Sequence, residues 1–176
     1  MIVLRHYSLG RRSRKTGDSG QALMEFAFAA LLLITMSFAL VDFGRLIYDM
    51  QVITNLTREG SILTARGTSL TDAANAVMTE SSPLNFNTNG AVIITQVTNI
   101  AGAYVIGGQV SQGGITATSQ VGSLATGVAT LPTAVQPQLN QSVFVTEVYY
   151  SFAPITPVGS LLGLTLPSRL YDVAYF

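Results

Sequence analysis

The chain has 176 residues, of which 10% are charged and 48% hydrophobic, and its formal net charge is zero. That length allows one domain, or a small domain with an anchor, and the composition is too apolar and too weakly charged for a disordered chain. With no cysteine and His6 as the only histidine, disulfides, thiolate nucleophiles, cysteine zinc sites, Ser-His-Asp triads and HExxH sites are excluded from the body of the chain.

The zero net charge conceals an asymmetry. Residues 1–20 hold five cations (Arg5, Arg11, Arg12, Arg14, Lys15) and one acid, Asp18, so the remainder holds four cations and eight acids. The body has no Lys or Arg between Arg66 and Arg169, which leaves no electrostatic footprint for nucleic acid.

After this basic head, Gln21 to Val41 forms a run of 21 residues with Glu25 as its sole ion. At 1.5 Å per residue a helix of that length reaches roughly 31 Å, the hydrocarbon thickness of a bilayer. Nine Phe, Leu, Ile or Val side chains between Phe26 and Val41 favour insertion by about 3–5 kcal/mol. A glutamate near one end costs less than the roughly 2.5–3.5 kcal/mol of a central charge, so the segment is predicted to span. By the positive-inside rule the head is cytoplasmic and residues 42–176 lie outside. Ser37-Phe38-Ala39 also satisfies the small-x-small rule for signal cleavage, which is the competing reading of the same run.

Beyond the span the pattern stays helical. Phe43, Leu46, Met50, Ile53, Leu56, Gly60 and Leu63 recur every three or four residues, predicting one apolar stripe. Asp42, Arg45 and Asp49, at i, i+3 and i+7, are expected to form a ladder of ion pairs on one face. Gly67 is the expected C-cap of a helix running from Gln21 to Arg66, with residues 42–67 as its extracytoplasmic continuation.

Residues 68–176 read as a small α+β domain. A short helix over "SLTDAANAVM" ends before Pro83, and Asn89-Gly90 is a turn signal. Strands are predicted at 91–100, 102–110, 142–152 and 170–176, where β-branched and aromatic residues gather. The Gly/Ser/Thr-rich residues 111–141 form an excursion of loop or weak strand. The fold class expected is α+β, with one long N-terminal helix packed on a small antiparallel sheet. Glu147 and Asp172 can approach across strands, but no second feature makes them a catalytic pair, and edge or solvent-facing carboxylates are the preferred reading. Neither a metal site nor a phosphate-binding glycine loop is expected.

One order of features is specific: a basic leader, Gly20, Glu25 at the fifth place after it, Phe26, then a span, "DFGRLIY" and "REG" at Arg58, Glu59 and Gly60. In this order the chain resembles the TadE-like minor pilins, or pseudopilins, of the Tad (tight adherence) type IV pilus. The resemblance implies cleavage between Gly20 and Gln21 by a membrane-embedded prepilin peptidase, with Glu25 close to the new amine. It also implies helix packing through Glu25, Phe26, Gly44, Arg45, Arg58, Glu59 and Gly60. The implied partners are that peptidase, other pilins, the inner-membrane assembly platform and membrane lipid, and the implied protein is no enzyme and needs no cofactor. Two departures stand out from the family's usual pattern. The span has Ala29-Ala30 where a proline is common, and Ile62 stands where a second arginine follows "REG". The alternative is a single-span anchored domain that binds an envelope partner or ligand and never polymerises.

Overall fold

A computed structural model describes residues 18–157, 159, 163 and 165–176, so the basic run from Arg5 to Lys15 lies outside the described residues. The first element is α1 (Asp18–Ala65), a helix of 48 residues that begins ahead of the expected Gln21 and ends one residue before the expected Arg66. Two compact units divide the chain, one ending at Phe38 and the other running from Ala39 to Phe176.

In the N-terminal unit the apolar side chains point outward on every side of the helix, Phe26, Phe28, Leu31, Leu32, Leu33 and Met36 among them. An all-round apolar helix is stable only where its surroundings are apolar too. Within the apolar run Thr35 Oγ1 donates to Leu31 O and Ser37 Oγ to Leu33 O, each at 2.8 Å. That pattern suits a medium without water. Among the described residues, α1 alone is long and apolar enough to cross a membrane, with mean hydropathy 2.2 over its most apolar window.

The second unit joins the rest of α1 to α2 (Leu70–Glu80), α3 (Phe86–Asn89) and four strands: β1 (Gly90–Ile100), β2 (Ala103–Gly113), β3 (Ser142–Ser151) and β4 (Arg169–Tyr175). The strands form one antiparallel sheet in the order β2-β1-β3-β4. Local chemistry fixes the element ends. Gly67 adopts φ +96° and donates its N–H to Thr64 O at 3.0 Å, while Thr68 N–H reaches Leu63 O at 3.1 Å, the paired bonds of a Schellman cap. Ser69 Oγ accepts the Asp72 N–H at 3.1 Å and so caps α2.

Both faces of the sheet are covered. On one, Ile53 and Leu56 of α1 and Ala73, Ala74 and Val77 of α2 pack on Val92, Ile94, Val148 and Tyr150. The expected stripe of α1 lies in this core except at its start, for Phe43 is 46% exposed while Leu46, Met50 and Leu63 pack against the cluster. On the other face, Val121, Ala129 and Leu131 cover Val97, Ile106, Val143 and Val145, and Ile115 and Ala117 cover Ala91, Ile93 and Tyr149. Most of the excursion therefore forms a second layer rather than a free loop; its first residues, Ser111 to Gly113, extend β2. Double coverage also explains why β1 and β3 read as nearly continuous apolar runs.

Gly60 sets how closely α1 approaches β3. A Cβ there would lie 2.8 Å from Thr146 Cγ2 and 2.9 Å from its Oγ1, and Thr146 is itself fully buried. Gly60→Ala gains about 1 kcal/mol of helix propensity, but overpacking costs about 1–3 kcal/mol. We expect the alanine variant of the detergent-solubilised chain to unfold at lower temperature than the wild type; an equal or higher melting temperature would show that the seam can open without cost.

Candidate functional site

The residues singled out from the sequence are divided between the two units. In the N-terminal unit Gly20, Gln21, Glu25 and Phe26 are all exposed on the first turns of α1. Nothing lies within 4 Å of the position a Gly20 Cβ would take. Glu25 Oε1 accepts a hydrogen bond from Gln21 Nε2 at 3.2 Å, one turn back. Amides in the first helical turn lack carbonyl partners, so the backbone around Gly20 can leave the helix at small cost in hydrogen bonds. The geometry offers an accessible glycine peptide and, a turn later, a carboxylate with one weak neutral partner.

In the second unit α1 meets the sheet through a seam of small and hydroxylic residues. Thr57, Gly60, Ser61 and Thr64 are buried at helical spacing. Thr57 Oγ1 donates to Asp172 Oδ2 at 2.7 Å, and Ser61 Oγ donates to Ala174 O at 3.0 Å. Gly60 and the small residue after it therefore pack within their own domain, whereas Arg58 is exposed and Glu59 half-buried beside them. Gly44 is exposed, with nothing within 4 Å of its Cβ position. Ile62 is half-buried.

The expected ladder of Asp42, Arg45 and Asp49 does not close into ion pairs; Asp42 and Arg45 bond to the loop after β3 instead. Asp42 is 2% exposed and accepts the N–H groups of Ile155 at 3.0 Å and Thr156 at 3.3 Å, together with the Thr156 hydroxyl. The Arg45 guanidinium lies 5.8 Å from the centre of the Phe152 ring, a cation–π distance, and reaches Ala153 O at 3.5 Å. Asp49 is 3% exposed and its Oδ2 has no hydrogen-bond partner among the described residues. A helix-only view misses this because the loop after β3 competes for both Asp42 and Arg45. The two carboxyls consequently diverge. The Thr156 hydroxyl, then the two backbone N–H groups and Arg45, hold Asp42 below the usual carboxylate value against the effect of burial. Burial pushes Asp49 up, with Arg45 opposing.

Glu147 departs furthest from expectation. It is neither at an edge nor in solvent, being fully buried on the sheet face opposite α1, and Asp172 faces Thr57 instead. Ser119 Oγ, Gln120 N–H at 2.8 Å, and the hydroxyls of Tyr149 and Tyr171 at 3.1 Å all meet its carboxylate. Tyr149 Oη also lies 2.8 Å from Thr118 O, so its one proton is shared. Burial first, and then the Glu147 charge, push both phenols above their ordinary value, which keeps them protonated as donors. No cation is among these partners; the group ties residues 118–120 to the sheet. Alternation along β3 places Glu147 with Val143, Val145 and Tyr149, an apolar face on which a lone carboxylate needs dedicated donors. Among the described residues no group of His, Cys, Asp or Glu is arranged to hold a metal.

Two of the buried carboxyls, Asp49 and Glu147, can be tested. A carboxyl raised in the folded state binds its proton more tightly there, so its contribution to stability falls as pH rises from about 3.8 through the higher folded value. Asp49→Asn should therefore raise the melting temperature relative to wild type more at pH 7 than at pH 4; the same difference at both would show that Asp49 does not titrate this way. Glu147→Ala takes this acceptor from the Ser119 hydroxyl, the Gln120 N–H and the Tyr171 hydroxyl, while Tyr149 keeps Thr118 O; a donor left unsatisfied in a buried place costs about 1–3 kcal/mol. Hydrogen exchange should accelerate at Gln120, Val121 and Thr130 with little change in α1 amides, whereas unchanged protection of residues 118–131 would remove Glu147 as the anchor.

Comparison with known proteins adds one finding. No curated protein and no solved structure matches the chain significantly. A family model described as TadE-like protein matches residues 20–61, a stretch that opens on Gly20 and closes just past Gly60. The matched stretch lies within α1 and includes its apolar run, which fits a single-pass membrane protein. Over residues 20–61, the chain carries the sequence pattern of the TadE-like family.

Proposed function

We propose that this protein is a minor pilin-like, non-enzymatic component of a Tad-type pilus, anchored in the inner membrane by one helix and processed by a prepilin peptidase after Gly20. In this reading the leader is cytoplasmic, residues 42–176 are periplasmic or extracellular, and the protein takes part in pilus assembly and so in surface adherence. The observation that carries the reading is the family match that begins at Gly20, the glycine ahead of the expected cut.

The physical chemistry of the segment supports these roles. Glycine at the cut presents a peptide with no Cβ, which lets a protease approach the backbone closely, and Gly20 is exposed. Cleavage would convert Gln21 from an interior helical residue into a chain end with a free amine. Glu25 has only the Gln21 amide as partner among the described residues. A carboxylate paired with a neighbour's α-amine at about 4 Å gains on the order of 4 kcal/mol at an effective dielectric near 20. An unpaired carboxylate in the bilayer costs a comparable amount. Glu25 would then favour assembled subunits over isolated ones.

The test is the N-terminal residue and intact mass of the protein from its native membrane, with and without the host's prepilin peptidase. A start at Gln21 that depends on that enzyme is expected. A Gly20 substitution that alters neither size nor function would favour an anchored exported domain that does not polymerise. Glu25→Val should leave membrane insertion intact and lower pilus output severalfold, scored by sheared filaments; wild-type output would rule out the proposed pairing.

A further inference from the structure

From Val148 through Ser168 the chain has no charged residue, and within this stretch Phe152 to Pro157 reads Phe-Ala-Pro-Ile-Thr-Pro. Its position is fixed by one contact. Asp42, the first residue after the span, accepts the N–H groups of Ile155 and Thr156 at 3.0 and 3.3 Å and the Thr156 hydroxyl. Arg45 adds its contacts with Phe152 and Ala153 less than one turn further along α1. The loop is therefore tied to the helix at the point where the helix leaves the hydrocarbon.

The loop is also built for a poorly hydrated place. Pro154 and Pro157 have no N–H to satisfy, and the two N–H groups between them both go to Asp42. No backbone donor from 154 to 157 is left wanting water, which lowers the cost of leaving water. The Asp42 carboxylate is in turn met by three donors, which offsets the cost of holding a charge at that depth. What the loop exposes is apolar: Ile155 is 65% exposed, and Leu40, Val41 and Phe43 on the helix are 75%, 46% and 46% exposed.

We infer that Ile155 and the loop around it form a second membrane contact, held by the Asp42 clamp in the boundary between headgroups and acyl chains of the bilayer that the helix crosses. The occupant is lipid rather than another protein, because the loop is held by Asp42, the residue that directly follows Val41 at the end of the span. The cation that touches the loop, Arg45, is engaged with Phe152 and Ala153, so the interaction is apolar and independent of anionic lipid. This inference rests on the reading of residues 21–41 as a span, and goes beyond the assembly role.

The chain has no tryptophan, so a single introduced one reports its own surroundings. The probe is Ile155→Trp in the full chain, reconstituted into phosphatidylcholine vesicles with brominated acyl chains. Leu139→Trp is the control: Leu139 is 60% exposed and precedes the opposite end of β3, whose ten residues span about 33 Å. At a depth of about 5–10 Å into the boundary, the indole of the Ile155→Trp variant should lose about half its fluorescence and that of the Leu139→Trp variant almost none. Asp42→Ala combined with Ile155→Trp should reduce the quenching while the protein still floats with the vesicles. Quenching in the Ile155→Trp variant no greater than in the control, or unchanged by Asp42→Ala, would overturn the inference alone. A chain that failed to float would overturn it together with the span.

Discussion

The structure of the second unit depends on how closely α1 can approach β3 and β4. At Gly60 the helix comes so near Thr146 that a single methyl group would collide with it. The residues around this point, Thr57, Ser61 and Thr64, are hydroxylic and small enough to fit. They use the short distance, giving the sheet two hydrogen bonds, to Asp172 and to the Ala174 carbonyl. Such a seam supplies little apolar area, so the hydrophobic contribution comes from residues beside it, Ile53 and Leu56 with α2 against β1 and β3. The seam sets distance and register, and the apolar flank supplies most of the free energy.

Because α1 and α2 occupy one face, the other face of the sheet must be covered by something else. The chain does this with a segment poor in large side chains, layered over Val97, Val143 and Val145. Weak apolar coverage is complemented by a polar fixture. Glu147 gathers donors from Ser119 and Gln120 of the layer and from Tyr149 and Tyr171 of the sheet. A buried carboxylate of this kind stabilises only while its donors stay in place, which couples residues 118–121 to the order of β3 and β4.

α1 meets two environments. Up to Phe38 its apolar side chains face outward, and the Thr35 and Ser37 hydroxyls bond back to its own carbonyls. From Asp42 on, its polar groups take partners from the domain, and Asp42 begins this by holding the loop after β3. The family match covers both regions, residues 20–61, yet they do different physical work. Gly20 and Glu25 lie on a surface with no tertiary partner among the described residues, while Gly60 is part of the domain's own core.

What could be read from the sequence was whatever near neighbours decide. The long helix, the Gly67 cap, the Ser69 start of α2 and the four strands follow from periodicity, φ preferences and capping over a few residues, and each is present in the structure. The order of Gly20, Glu25, span and "REG" was legible for the same reason, being a linear pattern. The fates of the isolated charges were not. Asp42 finds partners 113 and 114 residues away, and Glu147 finds Ser119 and Gln120 across 28 and 27 residues. Helical spacing alone suggested an ion ladder for the first, and the absence of a companion feature suggested an exposed position for the second. Only tertiary structure decides such cases, because a charge bonds to whatever donors the folded chain brings within about 3 Å, and chain separation does not reveal which those are.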